Sequence, residues 1–432
     1  MATSLTLTLS QITPAQRRTL IAAALGWMLD SFDAMLYALV LAHIMRDLGM
    51  SKGTAGLLNS LTLLASGIGG VSFGFIADRI GRKRALMLSI LTYSICSFAS
   101  GLSTSVLMLA VFRFILGLGM GGEWNTGATL VAETWPTELR AKAISIVQSS
   151  WAIGYALAAL VAGVVLQYAD WRMVFFIGIL PALVTLWIRS SVPESAMWQE
   201  HHRLSQTRSQ TRLAPESTRV AETQQKYEHD SFARIFRPPY VKNTFALLFL
   251  NFFGMSAWWG LFTWIPPYLS LPVENGGRGF GVMGTTTLLV VLNLFGMLPG
   301  YTSFGWVADH LGRRKSFICY TLLAALAVPL YAMARQPTVL LVMGTVVAFF
   351  GTGFFSGSGI IGSEIFPTSV RARALGFTYN GARTMSSVAP YIIGRVGQVK
   401  GLSWAFYLCA GSFLLASLVA TQLPETRGKQ LQ

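Results

Sequence analysis

Two aspartates, Asp30 and Asp33, interrupt an otherwise apolar stretch, GWMLDSFDAMLYALVL, residues 26–41. On a helix, residues three apart lie about 60° apart and share a face. Trp27 and Tyr37 extend that face. An ionised carboxylate in hydrocarbon costs about 2.5–3.5 kcal/mol on insertion scales, so such a group faces a cavity or a partner. Burial opposes ionisation of a carboxylate and a nearby guanidinium favours it. A carboxylate held between these influences can take up and release a proton as a cavity opens and closes. The alternative is a structural pair locked to a cation.

Arg113, inside VFRFILGLG, and Arg383, in GFTYNGARTM, are the cations in comparable surroundings. A guanidinium can grip a carboxylate with two hydrogen bonds. Arg113 is read either as a substrate-carboxylate hook or as a permanent partner of Asp30 or Asp33. Arg383 is read as a carboxylate hook, with pairing to an intramembrane acid such as Glu123 as the alternative. Glu123 is a candidate second proton site, and Asn125 lies beside it. Gly117 and Gly121 follow Arg113 at helical spacing and allow close approach of a neighbouring helix. Trp27, Tyr37, Trp258, Tyr379, Asn380 and Asn125 complete the candidate substrate-binding set with the two arginines. Some of the aromatics are expected to enclose an organic substrate; others are packing or interface residues.

Several function classes drop out. GLGMGG, residues 117–122, lies in an apolar run with no strand before it, so a dinucleotide loop is excluded. There is no Walker A loop, no Cys/His cluster with metal-ligand spacing, and no reason to expect a metal or other cofactor. Cys96, Cys319 and Cys409 all lie in apolar runs and read as small buried hydrophobes. Nothing points to an enzyme.

These residues need elements to position them. The chain has 432 residues, 53% hydrophobic and 12% charged. A soluble chain carries about 25% charge. A bilayer core needs roughly 20 apolar residues per helix. Twelve spans are expected: 20–45, 54–77, 84–102, 105–133, 142–167 and 171–190, then 241–270, 281–308, 314–333, 337–365, 372–397 and 402–422. The first is expected to be retained rather than cleaved as a signal peptide. A polar linker, 195–238, separates an N-terminal bundle, 1–194, from a C-terminal bundle, 239–432.

The two halves repeat. GFIADRIGRKRA, residues 74–85, returns as GWVADHLGRRKS, residues 305–316, so that Asp78 and Arg82 match Asp309 and Arg313 at an offset of 231. Glu133, Pro136 and Arg140 match Glu364, Pro367 and Arg371 at that same offset, and Pro193 and Glu194 match Pro424 and Glu425. The ten charged residues of these motifs form a candidate conformational gate. Arg140 is expected near Glu194, and Arg371 near Glu425, in networks that hold the ends of the halves together. The mid-membrane charges do not repeat: Asp30 corresponds to Leu261, Asp33 to Trp264, Glu123 to Phe354, and Arg383 to Ala152. Trp27 does correspond to Trp258.

The net charge of +15 gathers in loops on alternate sides of the spans. The positive-inside rule explains it without nucleic acid, and places both termini and the linker in the cytoplasm. Parallel repeats put a site between the halves near mid-membrane.

DRIGRK after the second span, its echo after the eighth, Arg113 with its following glycine, and the Pro–Glu pairs after spans six and twelve resemble the major facilitator superfamily. GWMLDSFDAMLYALVL, GLGMGGEWNTGATLVAETWP, WRMVFFIGILP and ALGFTYN resemble its sialate and metabolite:proton symporter branch, with aromatic-acid:proton symporters next. That resemblance implies an all-α membrane protein of twelve transmembrane helices in two pseudo-symmetric halves. It implies a secondary active transporter: a proton-coupled symporter of a small organic anion (a monocarboxylate, aromatic acid or acidic sugar) working by alternating access as a monomer in a plasma membrane, with a bacterial inner membrane expected. A proton-coupled exporter and a non-transporting membrane sensor are the alternatives.

Overall fold

The computed structural model describes residues 12–196, 198–200, 203 and 232–427; within these, the side chains of Asn125 and Arg140 lie outside the described residues. Most of the expected linker does too.

The first half holds α1 (Pro14–Asp47), α2 (Lys52–Ile80), α3 (Arg82–Gly101), α4 (Val106–Thr134), α5 (Thr137–Tyr168) and α6 (Trp171–Ser191). The second holds α7 (Val241–Ser270), α8 (Val282–Leu311), α9 (Arg313–Met333), α10 (Pro337–Ile365), α11 in two segments (Thr368–Ser386 and Ala389–Lys400), and α12 (Leu402–Ala420). Among the described residues, ten of these helices are long and apolar enough to cross a membrane. The other two are α3 and α11. The first opens on Arg82, Lys83 and Arg84. The second is broken around residue 387 and carries Arg371, Arg373, Arg383 and Arg395.

Local sequence explains the helix ends. Thr13 Oγ1 accepts from Gln16 N at 3.2 Å while the Gln16 side chain accepts from Thr13 N at 2.9 Å. This reciprocal cap, with Pro14 in the first turn, starts α1 before its apolar run begins. Large side chains such as Phe75, Leu107, Leu186 and Trp404 are exposed. On a membrane helix these form the lipid-facing surface. Within the first half, a Cβ on Gly117 or Gly121 would strike the backbone oxygen of Thr62 or Ser66. The expected close approach is therefore that of α4 to α2.

The basic loops are the same device built twice. Gly81 and Gly312 turn the chain at φ 101° and 95°, where an L side chain is strained. The turn exposes the first N–H groups of the helix that follows. Glu194 Oε1 accepts from Arg82 N at 2.9 Å and from Lys83 N at 3.1 Å. Glu425 accepts from Arg313 N at 2.8 Å and from Arg314 N at 3.2 Å. The two glutamates thus cap helix N-termini, where free N–H groups and the helix dipole favour an anion. Burial alone would raise the pKa of Glu425, but the backbone N–H groups of Arg313, Arg427, Arg314 and Thr426 hold it below its ordinary value.

The arginines reach elsewhere. Arg82 contacts Asp78 at 2.5 Å and Glu133 at 3.2 Å. Arg313 contacts Asp309 at 2.7 Å and Glu364 at 2.8 Å. The expected Arg140–Glu194 contact lies outside the described residues, since the Arg140 side chain does. Glu194 and Glu425 are engaged by the backbone of the basic loops, because that turn leaves the nearest unsatisfied donors. These ion pairs also close within each half rather than across them. Arg371 Nε donates to Phe366 O at 3.0 Å, across the bend that precedes its own helix.

Several hydrogen bonds between the halves lie at the other end. Lys52 Nζ donates to Asn275 O at 2.7 Å and to Gly397 O at 3.5 Å. Gly53 N donates to Gln398 Oε1 at 3.3 Å, and Tyr391 N to Ser60 Oγ at 3.1 Å. Gly56 allows α2 to lie against α11, since a Cβ there would strike Pro390 O. Thr286 Oγ1 donates to Ala159 O at 3.5 Å, tying α8 to α5. The end opposite the basic loops is closed.

Candidate functional site

Between the halves is a small cavity. Its walls are aromatic. Trp27 of α1 lies 4.7 Å from Trp151 of α5, ring centre to ring centre, and Trp151 lies 5.9 Å from Trp258 of α7. Trp259 packs edge-on to Trp258 at 4.8 Å, and Phe355 of α10 at 5.7 Å. One end is polar. Gln148 of α5, Tyr301 of α8, Tyr379 of α11 and Arg383 line it.

The unpartnered polar atoms of this lining share one property. The indole N–H groups of Trp27, Trp151 and Trp258, and Nε and Nη2 of Arg383, are buried without a hydrogen-bond partner among the described residues. All are donors. A buried unpaired donor is costly, and five around one cavity make a receptor for acceptor atoms, with Arg383 supplying the charge.

Behind the lining, Asp30 and Glu123 both lie in the field of Arg383, and Glu123 also feels Asp30. Neither oxygen of either carboxylate has a hydrogen-bond partner among the described residues. Both side chains are buried, Asp30 fully and Glu123 to 1% exposure. Glu123 fits because α1 carries Gly26 opposite it; a Cβ there would strike its carboxylate. Arg383 ends the first segment of α11, a few residues before the break. Two acids of the first half thus face one cation of the second.

Asp33 belongs to a separate group. Its Oδ1 accepts from Ser97 Oγ of α3 at 2.9 Å, and the turn of α6 at Gly178 closes over it. It lies in the field of Arg113. The Arg113 guanidinium stands 4.7 Å over the Tyr37 ring, and the Tyr37 hydroxyl donates to Ala55 O at 2.9 Å. Asp33, Arg113 and Tyr37 do not line the cavity. Asp33 also lies in the field of Asp30, its neighbour on the same face of α1, while its own bond runs to α3.

Of the expected substrate residues, the structure brings Trp27, Trp258, Tyr379 and Arg383 to the cavity. It sets Arg113 and Tyr37 aside. Asn380 Nδ2 donates to Gly376 O of its own helix at 3.1 Å and does not line the cavity. Sequence reasoning missed Gln148, Trp151, Met255 and Tyr301. A signal for Gln148 was present: it lies 231 residues before Tyr379, just as Trp27 precedes Trp258.

Comparison with known proteins adds the following. A model described as the Major Facilitator Superfamily matches residues 23–284 and 276–431. A probable 4-methylmuconolactone transporter of Cupriavidus pinatubonensis is 31% identical over 96% of this chain and 92% of its own length. The sialic acid transporter NanX of Escherichia coli is 32% identical over 96% of each chain. The cis,cis-muconate transport protein of Acinetobacter baylyi is 30% identical over 92% of this chain and 91% of its own. Among solved structures, the partially occluded inward-open conformation of the xylose transporter XylE from E. coli superimposes with TM-score 0.76 at 18% identity, covering 97% of this chain and all of that one. That likeness speaks to the fold alone.

Proposed function

Since this chain belongs to the Major Facilitator Superfamily, and is an integral multi-pass transporter rather than an enzyme, we propose that it carries a small organic anion by proton-coupled symport with alternating access. One observation carries this reading: the unpartnered groups lining the cavity between the halves are all donors, and one of them is the Arg383 guanidinium. A carboxylate supplies the acceptors and the opposite charge. The four tryptophan, one phenylalanine and two tyrosine side chains around it suit a planar or ring-bearing body. The names of the relatives, which include muconate, a methylmuconolactone and sialic acid, are consistent with that chemistry.

In the cycle, the anion seats on Arg383 and the indole donors, while Asp30 and Glu123 take the accompanying proton. Asp33, bonded to Ser97, and Arg113, over the Tyr37 ring, act on the site through α1 and α4. The halves then rock about the cavity. The closed end, at Lys52, Gly56 and Thr286, opens as the basic-loop end closes. By the distribution of Lys and Arg, the basic loops and both termini face the cytoplasm of a plasma membrane.

The test begins with purified protein. Bound ligand raises thermal stability by mass action, so benzoate, nicotinate and N-acetylneuraminate are compared in a thermal-shift series. Counterflow of a labelled hit is then measured in proteoliposomes. At least one acid is expected to stabilise the protein, exchange across the membrane, and accumulate when an inward proton gradient is imposed. Failure of all carboxylates to bind and exchange would remove the anion reading.

A further inference from the structure

The two halves present different donors at matching places. At the offset of 231, Trp151 and Ala152 of α5 correspond to Ala382 and Arg383 of α11. Trp151 and Arg383 both line the cavity. One half thus supplies a neutral indole N–H where the other supplies a guanidinium. Both side chains are buried. Trp151 Nε1, and Nε and Nη2 of Arg383, have no hydrogen-bond partner among the described residues. Trp151 is also held firmly. Ser31 Oγ of α1 donates to Trp151 O at 2.7 Å, and Ser150 Oγ donates to Ala24 O of α1 at 2.8 Å. Gly154, just beyond, lets α1 approach, since a Cβ there would strike Met28 O. The Trp151 ring touches both Trp27, at 4.7 Å, and Trp258, at 5.9 Å.

We infer that the anion carries, besides its carboxylate, an uncharged acceptor (a ring nitrogen, or a hydroxyl or carbonyl oxygen), and that the Trp151 N–H reads it. Nε and Nη2 form one edge of a guanidinium, and such an edge grips both oxygens of a carboxylate. A carboxylate offers about four lone-pair sites. Five donors of the lining are unpartnered, two on Arg383 and one each on Trp27, Trp151 and Trp258. The carboxylate alone does not meet them all, so at least one indole takes an acceptor elsewhere on the ligand. Trp27 and Trp258 match one another between the halves, whereas Trp151, like Arg383, has no equivalent. The two unmatched donors therefore set the direction of the ligand: carboxylate on the second half, neutral acceptor on the first. Trp151 is already fixed against α1, so little order is lost when it bonds. A buried donor left unmet is costly. A site built to bond a polar atom therefore rejects the analogue that lacks it.

This inference rests on the anion reading, and the following experiment separates the two. Benzoate, nicotinate and N-acetylneuraminate are titrated by calorimetry into full-length wild type and Trp151→Phe. Benzoate has no second acceptor. Nicotinate differs from it by a nitrogen in place of one ring C–H, and N-acetylneuraminate carries hydroxyls and an amide. Wild type is expected to bind nicotinate or N-acetylneuraminate about tenfold or more tighter than benzoate. Trp151→Phe keeps an aromatic ring and deletes the N–H. It is expected to weaken the preferred acid about tenfold and to leave benzoate no weaker. Wild type that binds benzoate as tightly as the other two overturns the inference and leaves the anion reading standing. Equal losses for benzoate and the preferred acid make Trp151 a packing residue and overturn it. An unweakened preferred acid places the acceptor on another donor and overturns it too. If the variant does not fold, the wild-type preference for an acid with a second acceptor decides. If none of the three acids binds, the anion reading falls and takes the inference with it.

Discussion

In the first half Arg82 reaches Asp78 at 2.5 Å and Glu133 at 3.2 Å; in the second Arg313 reaches Asp309 at 2.7 Å and Glu364 at 2.8 Å. The glutamates at 194 and 425 cap the following helices in the same way. Midway through the membrane the likeness ends. Asp30 and Glu123 of the first half stand where the second has Leu261 and Phe354, and Arg383 stands where the first has Ala152. The loops do a job both halves need, which is to turn a chain tightly and tie three helices at one face. The centre does a job only the pair can do. In the proposed mechanism the acids come from the first half and the cation from the second.

The largest expected effect is at the unmatched cation. Arg383→Ala gives the second half the side chain that the first already carries at residue 152. It removes the charge at the cavity and leaves two acids facing the anion. The apparent Kd for the best carboxylate should rise tenfold or more, about 1.4 kcal/mol or greater. Thermal-shift titration or counterflow measures it, and an unchanged affinity would assign Arg383 to structure.

The two ends of α2 allow a second contrast. Gly56 lies against Pro390 of the other half, whereas a Cβ on Gly74, near the basic loop, would meet open space. Gly56→Ala should push the closed end apart at a cost of about 1–3 kcal/mol. Gly74→Ala should be neutral or stabilising by up to about 1 kcal/mol. Distance measurements between spin labels on the loops after α1 and α7 would show the first variant opening that end and the second leaving it closed. Equal behaviour would mean that the α2–α11 contact does not hold the halves.

If the loops are equivalent, breaking them should be equivalent. Arg82→Ala removes the cation from exposed Asp78 and partly buried Glu133, and Arg313→Ala from exposed Asp309 and partly buried Glu364, which keeps its bond from Thr426 Oγ1. Each should destabilise by about 1–3 kcal/mol, and the two values should agree within about 1 kcal/mol. Thermal unfolding of the purified variants compares them. A large difference would show that one loop carries a load the other does not.

How much of this was legible follows from what sequence encodes. Span seven was expected at 241–270 and is Val241–Ser270, because hydropathy and flanking polar residues mark both ends. Span eleven was expected as one run, 372–397, and is two segments, with the break following Arg383. Polar residues there obscure the apolar signal. At the site, Trp27, Trp258, Tyr379 and Arg383 could be found because rare residues inside apolar runs stand out. Trp151, Met255 and Tyr301 could not, because composition says that a residue is in a span and not which face of that span meets the other half; Gln148 was signalled only by its repeat match to Tyr379. Arg113 shows the converse. Its charge marks it as a buried group in need of a partner, but only packing places its guanidinium over the Tyr37 ring and off the cavity lining.

The smallest expected effect concerns the cap at the second loop. The backbone N–H groups around Glu425 favour its ionised form and hold its pKa below the ordinary value of 4.5. A carboxyl whose folded-state pKa is depressed contributes stability that is fully present above the unfolded value. That contribution fades as pH falls through the folded value, when both states are protonated. Glu425→Gln removes the charge at every pH. The variant should therefore unfold at a lower temperature than wild type at neutral pH, and the two should converge as the solution is acidified below the ordinary carboxylate range. Glu194→Gln should also lower the unfolding temperature at neutral pH, since Glu194 accepts from the N–H groups of Arg82 and Lys83 in the matching place. Melting curves across the acid range test both. A constant difference at all pH values would show that the amide fails on shape rather than charge, and the two loops would then be alike in geometry but not in electrostatics.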